Sequence, residues 1–180
     1  MPRAEPPLGS LPVAAPKLPQ VRHAGPADAE AIRAIYNWEI ENETATFDLV
    51  PRSLEDQLEW QNARSGAFCV FVAELDGEVV GFGALSPYKE RPAYRTTVEN
   101  SVYVRRDLAR RGVGRAILGH LLQTAADGGF HSVMARITTL SEASIALHSA
   151  MGFELVGIER EVGRKFNKWL DVALMQHLIA

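Results

Sequence analysis

Cysteine is all but missing from these 180 residues. Cys69 stands alone inside an apolar run, so no intrachain disulfide can form. No Cys/His spacing reads as a metal site, and a reducing, cytoplasmic setting is the expectation. Long hydrophobic runs are missing as well: no apolar stretch approaches the length that a membrane-spanning helix needs. Nor is there a large excess of charge. Lys and Arg number 19 against 22 Asp and Glu, and the formal net charge of −3 argues against a general nucleic-acid binder. No internal repeat is visible. Proline is scarce except at the start, where Pro2, Pro6, Pro7, Pro12, Pro16 and Pro19 fall within the first twenty residues. That spacing denies the segment both a helix and an apolar signal core. Residues 1–19 therefore read as a flexible extension, with a linker as the alternative. Residues 20–180 read as one domain with one core.

What is there alternates between two periods. Gln20 to Ala24 suits a short strand, and Gly25-Pro26 opens a helix whose apolar face is Ile32, Ile35 and Tyr36. Ser53-Leu54-Glu55-Asp56 resembles a capping box and starts a second helix, expected to run through Arg64. Phe68 to Leu75 and Val79 to Leu85 flank Asp76-Gly77, a type I′ hairpin signal. The unbroken Phe68–Ala73 run predicts a strand covered on both faces. Thr97 to Val104 is strand-like. A helix from Gly112 to Asp127 repeats Val113, Ile117, Leu121 and Ala125 every four residues. His131 to Ile137 is a strand. Ser141 to Met151 is a helix stopped by Gly152, and strand-like stretches near Phe153–Val162 and Leu170–Ile179 follow. This order predicts an α/β (α+β) fold, with a mixed central sheet carrying helices on both faces.

The strongest chemical signal is Arg110-Arg111-Gly112-Val113-Gly114-Arg115, between a strand and a helix. Glycines at a helix start let main-chain N–H groups approach an anion, and the helix dipole adds attraction. Arginines at this end, with Arg105 and Arg106 just before them, oppose the dipole unless an anion is present. A solvated basic turn is the plain alternative. The spacing matches neither a Walker A loop nor a dinucleotide fingerprint. A different polyphosphate ligand is the natural inference.

On the preceding strand Val98, Val102 and Val104 share one face, interrupted by Asn100, while Thr97, Glu99, Ser101 and Tyr103 share the other. If the strand begins early enough, Arg95 extends that second row, whose members lie about 6.6 Å apart. An Arg, a Thr and a Glu in line can hold a carboxylate, a polar group and an ammonium, the pattern of a free amino acid. An exposed strand face or an internal Arg95–Glu99 ion pair is the competing reading.

The loop, Val102-Tyr103-Val104, and the stretch from Ser144-Ile145-Ala146-Leu147-His148 to Gly152-Phe153 resemble the GNAT superfamily. Thr44-Ala45-Thr46-Phe47, Thr97–Val104 and Arg160–Phe166 resemble, more narrowly, its phosphinothricin/methionine sulfone N-acetyltransferase group. The similarity runs from about Val21 to the C-terminus. It implies the GNAT fold, a mostly antiparallel mixed sheet, and acetyl-CoA as co-substrate without a metal. It also implies that Val102, Tyr103 and Val104 offer main-chain groups to the pantetheine arm. Arg110, Arg111, Gly112, Val113, Gly114 and Arg115 would cradle the pyrophosphate. Ala109 stands where relatives carry Gln or Arg, Arg110 often where they carry Gly, and Ser141 where they commonly carry an Asn that touches the cofactor. Ser144 joins Ser141 as a cofactor candidate. Phe47, Arg95, Thr97, Glu99 and Lys165 are the candidates for holding the acceptor, with a homodimer implied for the Lys165–Trp169 segment.

The expected chemistry is direct transfer. An amine with a pKa near 10 is mostly protonated at neutral pH, so a base must help, and Glu99 is the candidate, directly or through water. A main-chain N–H on the Val102–Val104 strand would hold the oxyanion. His148 stands where many GNAT enzymes place a tyrosine that protonates the leaving sulfur; it reads alternatively as a buried helix histidine satisfied by Ser144. Glu99 reads alternatively as a substrate ligand. Trp38, Trp60 and Trp169 read as core or interface, and Cys69 as core rather than nucleophile. A polyamine, an aminoglycoside or a protein N-terminus remain possible acceptors. So does a non-catalytic CoA-binding module, whereas nucleic acid and membrane are not expected partners.

Overall fold

Asp76 and Gly77 both adopt left-handed backbone angles (φ 53° and 83°), the geometry of a type I′ turn. They join β2 (Val70–Leu75) to β3 (Glu78–Pro87) in a hairpin. The computed structural model describes residues 18–179, so most of the proline-rich start lies outside the described residues. Around the hairpin are β1 (Gln20–His23), α1 (Ala29–Asn42), α2 (Leu54–Asn62), β4 (Thr97–Val104), α3 (Val113–Asp127), β5 (Ser132–Thr138), α4 (Glu142–Ala150), β6 (Glu154–Lys165) and β7 (Lys168–Leu178). The sheet order is β1-β2-β3-β4-β5-β7-β6, antiparallel throughout except for the parallel β4–β5 pair. No helix among the described residues is long and apolar enough to cross a membrane.

Local chemistry sets the element ends. Ser53 Oγ accepts from the Asp56 amide at 3.1 Å and the Asp56 carboxylate accepts from the Ser53 amide at 3.0 Å, the expected box at the start of α2. The helix stops at Asn62, two residues short of Arg64. Pro26 opens a 3₁₀ turn that leads into α1, and Asp28 accepts from the Gly25 amide and from Arg22. Gly152 (φ 85°) ends α4, with the Phe153 amide reaching back to the His148 carbonyl.

Helices cover both faces of the sheet. Ile117, Leu118 and Leu121 of α3 pack with Phe71, Val98, Val133, Ala135 and Met175 on one face. Ile32, Ile35, Tyr36 and Ile40 of α1 pack with Val70, Val72, Phe82 and Ala84 on the other. β2 is buried on both sides, as its unbroken apolar run predicts. Two expectations shift. Phe68 belongs to a 3₁₀ turn rather than to β2. The last two strands also run further toward each other than expected, closing on Phe166 and Asn167, both left-handed (φ 49° and 59°).

Candidate active site

β4 and β5 pair only over Thr97–Glu99 and Ser132–Met134, and beyond that ladder they diverge. The chain thus opens a fork between Asn100–Val104 and Ala135–Thr138. A cleft of about 690 Å³ fills it, lined by both strand ends, by Thr44–Phe47, by the loop before α3 and by α4. Along this stretch β4 keeps β3 as its partner on one edge only, so the main-chain groups on the β5 side are open to a ligand.

Asn100 sits at the crotch. Its amide Nδ2 donates to the Met134 carbonyl at 3.0 Å, the point where the ladder ends, which assigns Oδ1 as the acceptor facing His148 Nε2 at 3.1 Å. His148 Nδ1 lies 2.8 Å from the Ser144 carbonyl, and the ring is 3% exposed. Both ring nitrogens therefore face acceptors, and a neutral imidazole has one N–H to give. Burial holds the His148 pKa below its ordinary value, against the pull of the Ser144 carbonyl. The histidine borders the cleft and is also the buried helix residue, set against Ser144, that the spacing allowed. In the sequence Asn100 was only an interruption of an apolar face.

Glu99 lines the cleft on the opposite face of β4 from Val98. Burial raises its carboxyl pKa, Arg136 draws it down and Glu159 adds to the rise. Tyr103 stacks on Phe82 with centroids 5.2 Å apart and meets Tyr36 edge-on at 5.0 Å; burial pushes its phenol pKa far up. Val102 and Val104 turn their side chains to the α3 core. All three line the cleft.

At the phosphate loop, Gly112 (φ 81°) caps α3 with no side chain engaged, which leaves the first-turn amides free. Arg110 is also left-handed (φ 65°), a conformation that costs a non-glycine residue about 1–3 kcal/mol. Gly114 has a different purpose: a Cβ there would come within 3.0 Å of Leu147 on α4. The basic cluster divides in two. Arg105 is tied to Asp107 and Glu78, and Arg106 grips Glu39 of α1 at 2.7 and 2.8 Å. Among the described residues no acidic side chain pairs with Arg110, Arg111 or Arg115. Arg110 and Gly112–Arg115 border the cleft, whereas Arg111 does not. Ser141, at the N-cap of α4 with its hydroxyl free of capping, and Ser144 border it too.

The acceptor row is rearranged. The strand starts at Thr97, and Arg95 ends a 3₁₀ turn (Pro92–Tyr94) in helical geometry, exposed and off the strand face. Neither Arg95 nor Thr97 borders the cleft, so the in-line Arg–Thr–Glu arrangement does not form. The proline at position 92 and the turn it sets are the reason. Phe47 does line the cleft, resting on Gly163, where a Cβ would overlap its ring. Lys165 is buried, and its ammonium donates to the carbonyls of Thr46 at 2.9 Å and Glu39 at 3.3 Å. It holds the Thr44–Phe47 wall from behind. Burial lowers its pKa.

A forked sheet whose opening meets a helix start with uncapped amides is an architecture suited to a long ligand with an anionic end. Residues 21–174 match the acetyltransferase (GNAT) domain family. The chain belongs to the GNAT acetyltransferases. It is 38% identical over 158 residues to an L-methionine sulfoximine/L-methionine sulfone acetyltransferase of Pseudomonas aeruginosa, covering 87% of this chain and 92% of that one. A phosphinothricin N-acetyltransferase of Streptomyces coelicolor is 35% identical over 158 residues, covering 86% and 92%. Among solved structures, a GNAT superfamily phosphinothricin acetyltransferase from Sinorhizobium meliloti in complex with acetyl-CoA superposes with a TM-score of 0.87 at 33% identity. That match covers 91% of this chain and 90% of the other. For this GNAT acetyltransferase the left-handed Arg110 has a physical reading, because glycine would meet the same backbone demand without strain.

Proposed function

We propose that this GNAT enzyme transfers acetyl from acetyl-CoA to the amino group of a small amino-acid acceptor of the methionine sulfone, methionine sulfoximine or phosphinothricin type. The fork carries the reading: a cleft open along the edge of β4, ending at the uncapped start of α3, with the half-buried carboxylate of Glu99 beside the crotch. The names of the relatives support the acceptor class. The free amides of Val113–Arg115, with Arg110 and Arg115, take the diphosphate. Main chain of Val102–Val104 takes the pantetheine arm, and Ser141 and Ser144 contact the cofactor from α4. Glu99 removes the ammonium proton, directly or through water, as the amine approaches the thioester. For His148 to give a proton or a hydrogen bond to the departing sulfur, its Nε2 must leave Asn100 Oδ1 and turn to the cleft. Phe47 walls the acceptor side, and Lys165 positions that wall.

The reaction belongs, on this reading, to the reducing cytoplasm, and the working form is a homodimer. β6 is a sheet edge carrying Val156 and Ile158, each more than half exposed, with Trp169 of β7 and Phe166 of the turn nearby. Exposed apolar edges of this kind are paired or covered in stable proteins. A second copy is the occupant we assign.

The test is a CoA-thiol release assay over an amine panel. Turnover with methionine sulfone, methionine sulfoximine or phosphinothricin, far above that with spermidine, an aminoglycoside or a peptide N-terminus, is expected. Preference for one of the latter would replace the acceptor class. No release with any amine, together with no heat of acetyl-CoA binding, would remove the enzyme reading.

A further inference from the structure

With Arg95 outside the cleft, a zwitterionic acceptor needs its cation elsewhere. The register supplies one. Glu99 pairs with Met134, and Arg136 and Thr138 follow Met134 at two-residue steps, so these side chains share the Glu99 face. The alternate residues Val133, Ala135 and Ile137 lie in the α3 core, as this alternation requires. Arg136 lies one two-residue step beyond the last paired position on the β5 arm, close enough to draw the Glu99 pKa down. Both residues line the cleft, on opposite arms of the fork.

Arg136 is held by a single side-chain contact, Nη2 to Glu159 Oε2 at 2.7 Å, with both side chains about 40% exposed (41% and 38%). Such a solvated pair is weak and leaves most guanidinium donors free for a bidentate partner. Thr138 is the second, independent sign. It is 4% exposed, borders the cleft, and its hydroxyl has no hydrogen-bond partner. A buried hydroxyl without a partner costs free energy that a ligand oxygen would recover. Glu159 and Thr138 both pair with Val172 of β7, so the Arg136–Glu159 contact reaches across β7 near the level of Thr138.

We infer that Arg136 and Thr138 form the acceptor's oxyanion subsite, which binds a charged or strongly polar oxygen group of the amino acid while Glu99 faces its ammonium. The inference rests on the acceptor class proposed above. Two groups on such acceptors have this chemistry, the α-carboxylate and the oxo or phosphinate tail, and matched acceptors separate them. Arg136 is then a specificity-determining residue, with Glu159 as the carboxylate that positions it.

The experiment compares wild type, Arg136→Met and Thr138→Val with methionine sulfone, its carboxamide and phosphinothricin, reading kcat/KM by CoA release. Loss of the acid-over-amide preference by about tenfold or more in Arg136→Met assigns the carboxylate to the subsite. A similar loss of the phosphinothricin-over-sulfone preference assigns the tail. Thr138→Val, nearly isosteric, is expected to lose a smaller part of the same ratio, and it carries the test if Arg136→Met fails to fold. Ratios that stay at the wild-type value in the folded variants overturn the inference while leaving the proposed function in place. If wild type turns over none of the three acceptors but does acetylate another amine, the acceptor class falls and the subsite with it.

Discussion

Burial lifts the Glu99 carboxyl above the ordinary glutamate value of 4.5, Arg136 opposes the lift and Glu159 adds to it. A base must be ionised to act, so turnover rises as pH climbs through this raised pKa, and the acid limb of the rate profile is displaced upward from the ordinary glutamate value. The same shift has a stability consequence of known sign. The folded carboxyl holds its proton more tightly than the unfolded one, so the fold loses stability as pH rises from the unfolded value through the folded one. Glu99→Gln is therefore expected to lower kcat by about 10²–10⁴-fold and to flatten the acid limb. At neutral pH it is expected to melt no earlier than wild type. A variant with an unchanged pH profile would dismiss Glu99 as the base. The residue was legible in the sequence because a carboxylate in mid-strand is conspicuous. Asn100 was not, since its importance lies in reaching the Met134 carbonyl and the His148 ring, both far away along the chain.

Among the elements, α3 packs its side chains tightly onto the glycines of β3. A Cβ at Gly83 would meet Ile117 Cγ2 at 2.5 Å and the Ser101 carbonyl at 2.9 Å, and one at Gly81 would meet Tyr103 O at 2.9 Å. The helix that presents the phosphate loop thus lies directly on glycine in the β2–β3 hairpin. Gly83→Ala is expected to cost about 1–3 kcal/mol in chemical denaturation, as overpacking does. It is also expected to weaken acetyl-CoA binding by tilting α3; unchanged stability would mean that α3 yields freely. The hairpin itself was legible, because Asp-Gly prefers the left-handed angles of a type I′ turn. The β6–β7 hairpin was not. Its turn is Phe166-Asn167, and a phenylalanine at φ 49° is something that local preference argues against and only the surrounding sheet imposes.

For the whole molecule the open question of contact lies at β6. Its Glu159–Gly163 irregularity, with Glu161 left-handed and its amide held by Asp171 at 2.8 Å, bends the edge rather than charging it throughout. The double variant Val156→Lys/Ile158→Lys is expected to sediment as a monomer, with wild type a dimer. A wild type that is monomeric at all concentrations would overturn the pairing of copies.

The sequence by itself determined the order and type of the elements, the two-sided cover of the sheet, and the glycine-marked turn at the start of α3. Period, capping and turn chemistry act between residues a few positions apart. Only the tertiary structure decided where β4 and β5 part, which arginines are neutralised by Glu39, Glu78 and Asp107, and that Arg136 rather than Arg95 lines the cleft with Glu99. Strand register and ion pairing join residues from distant segments, and their outcome follows from packing the whole sheet rather than from any local stretch of chain.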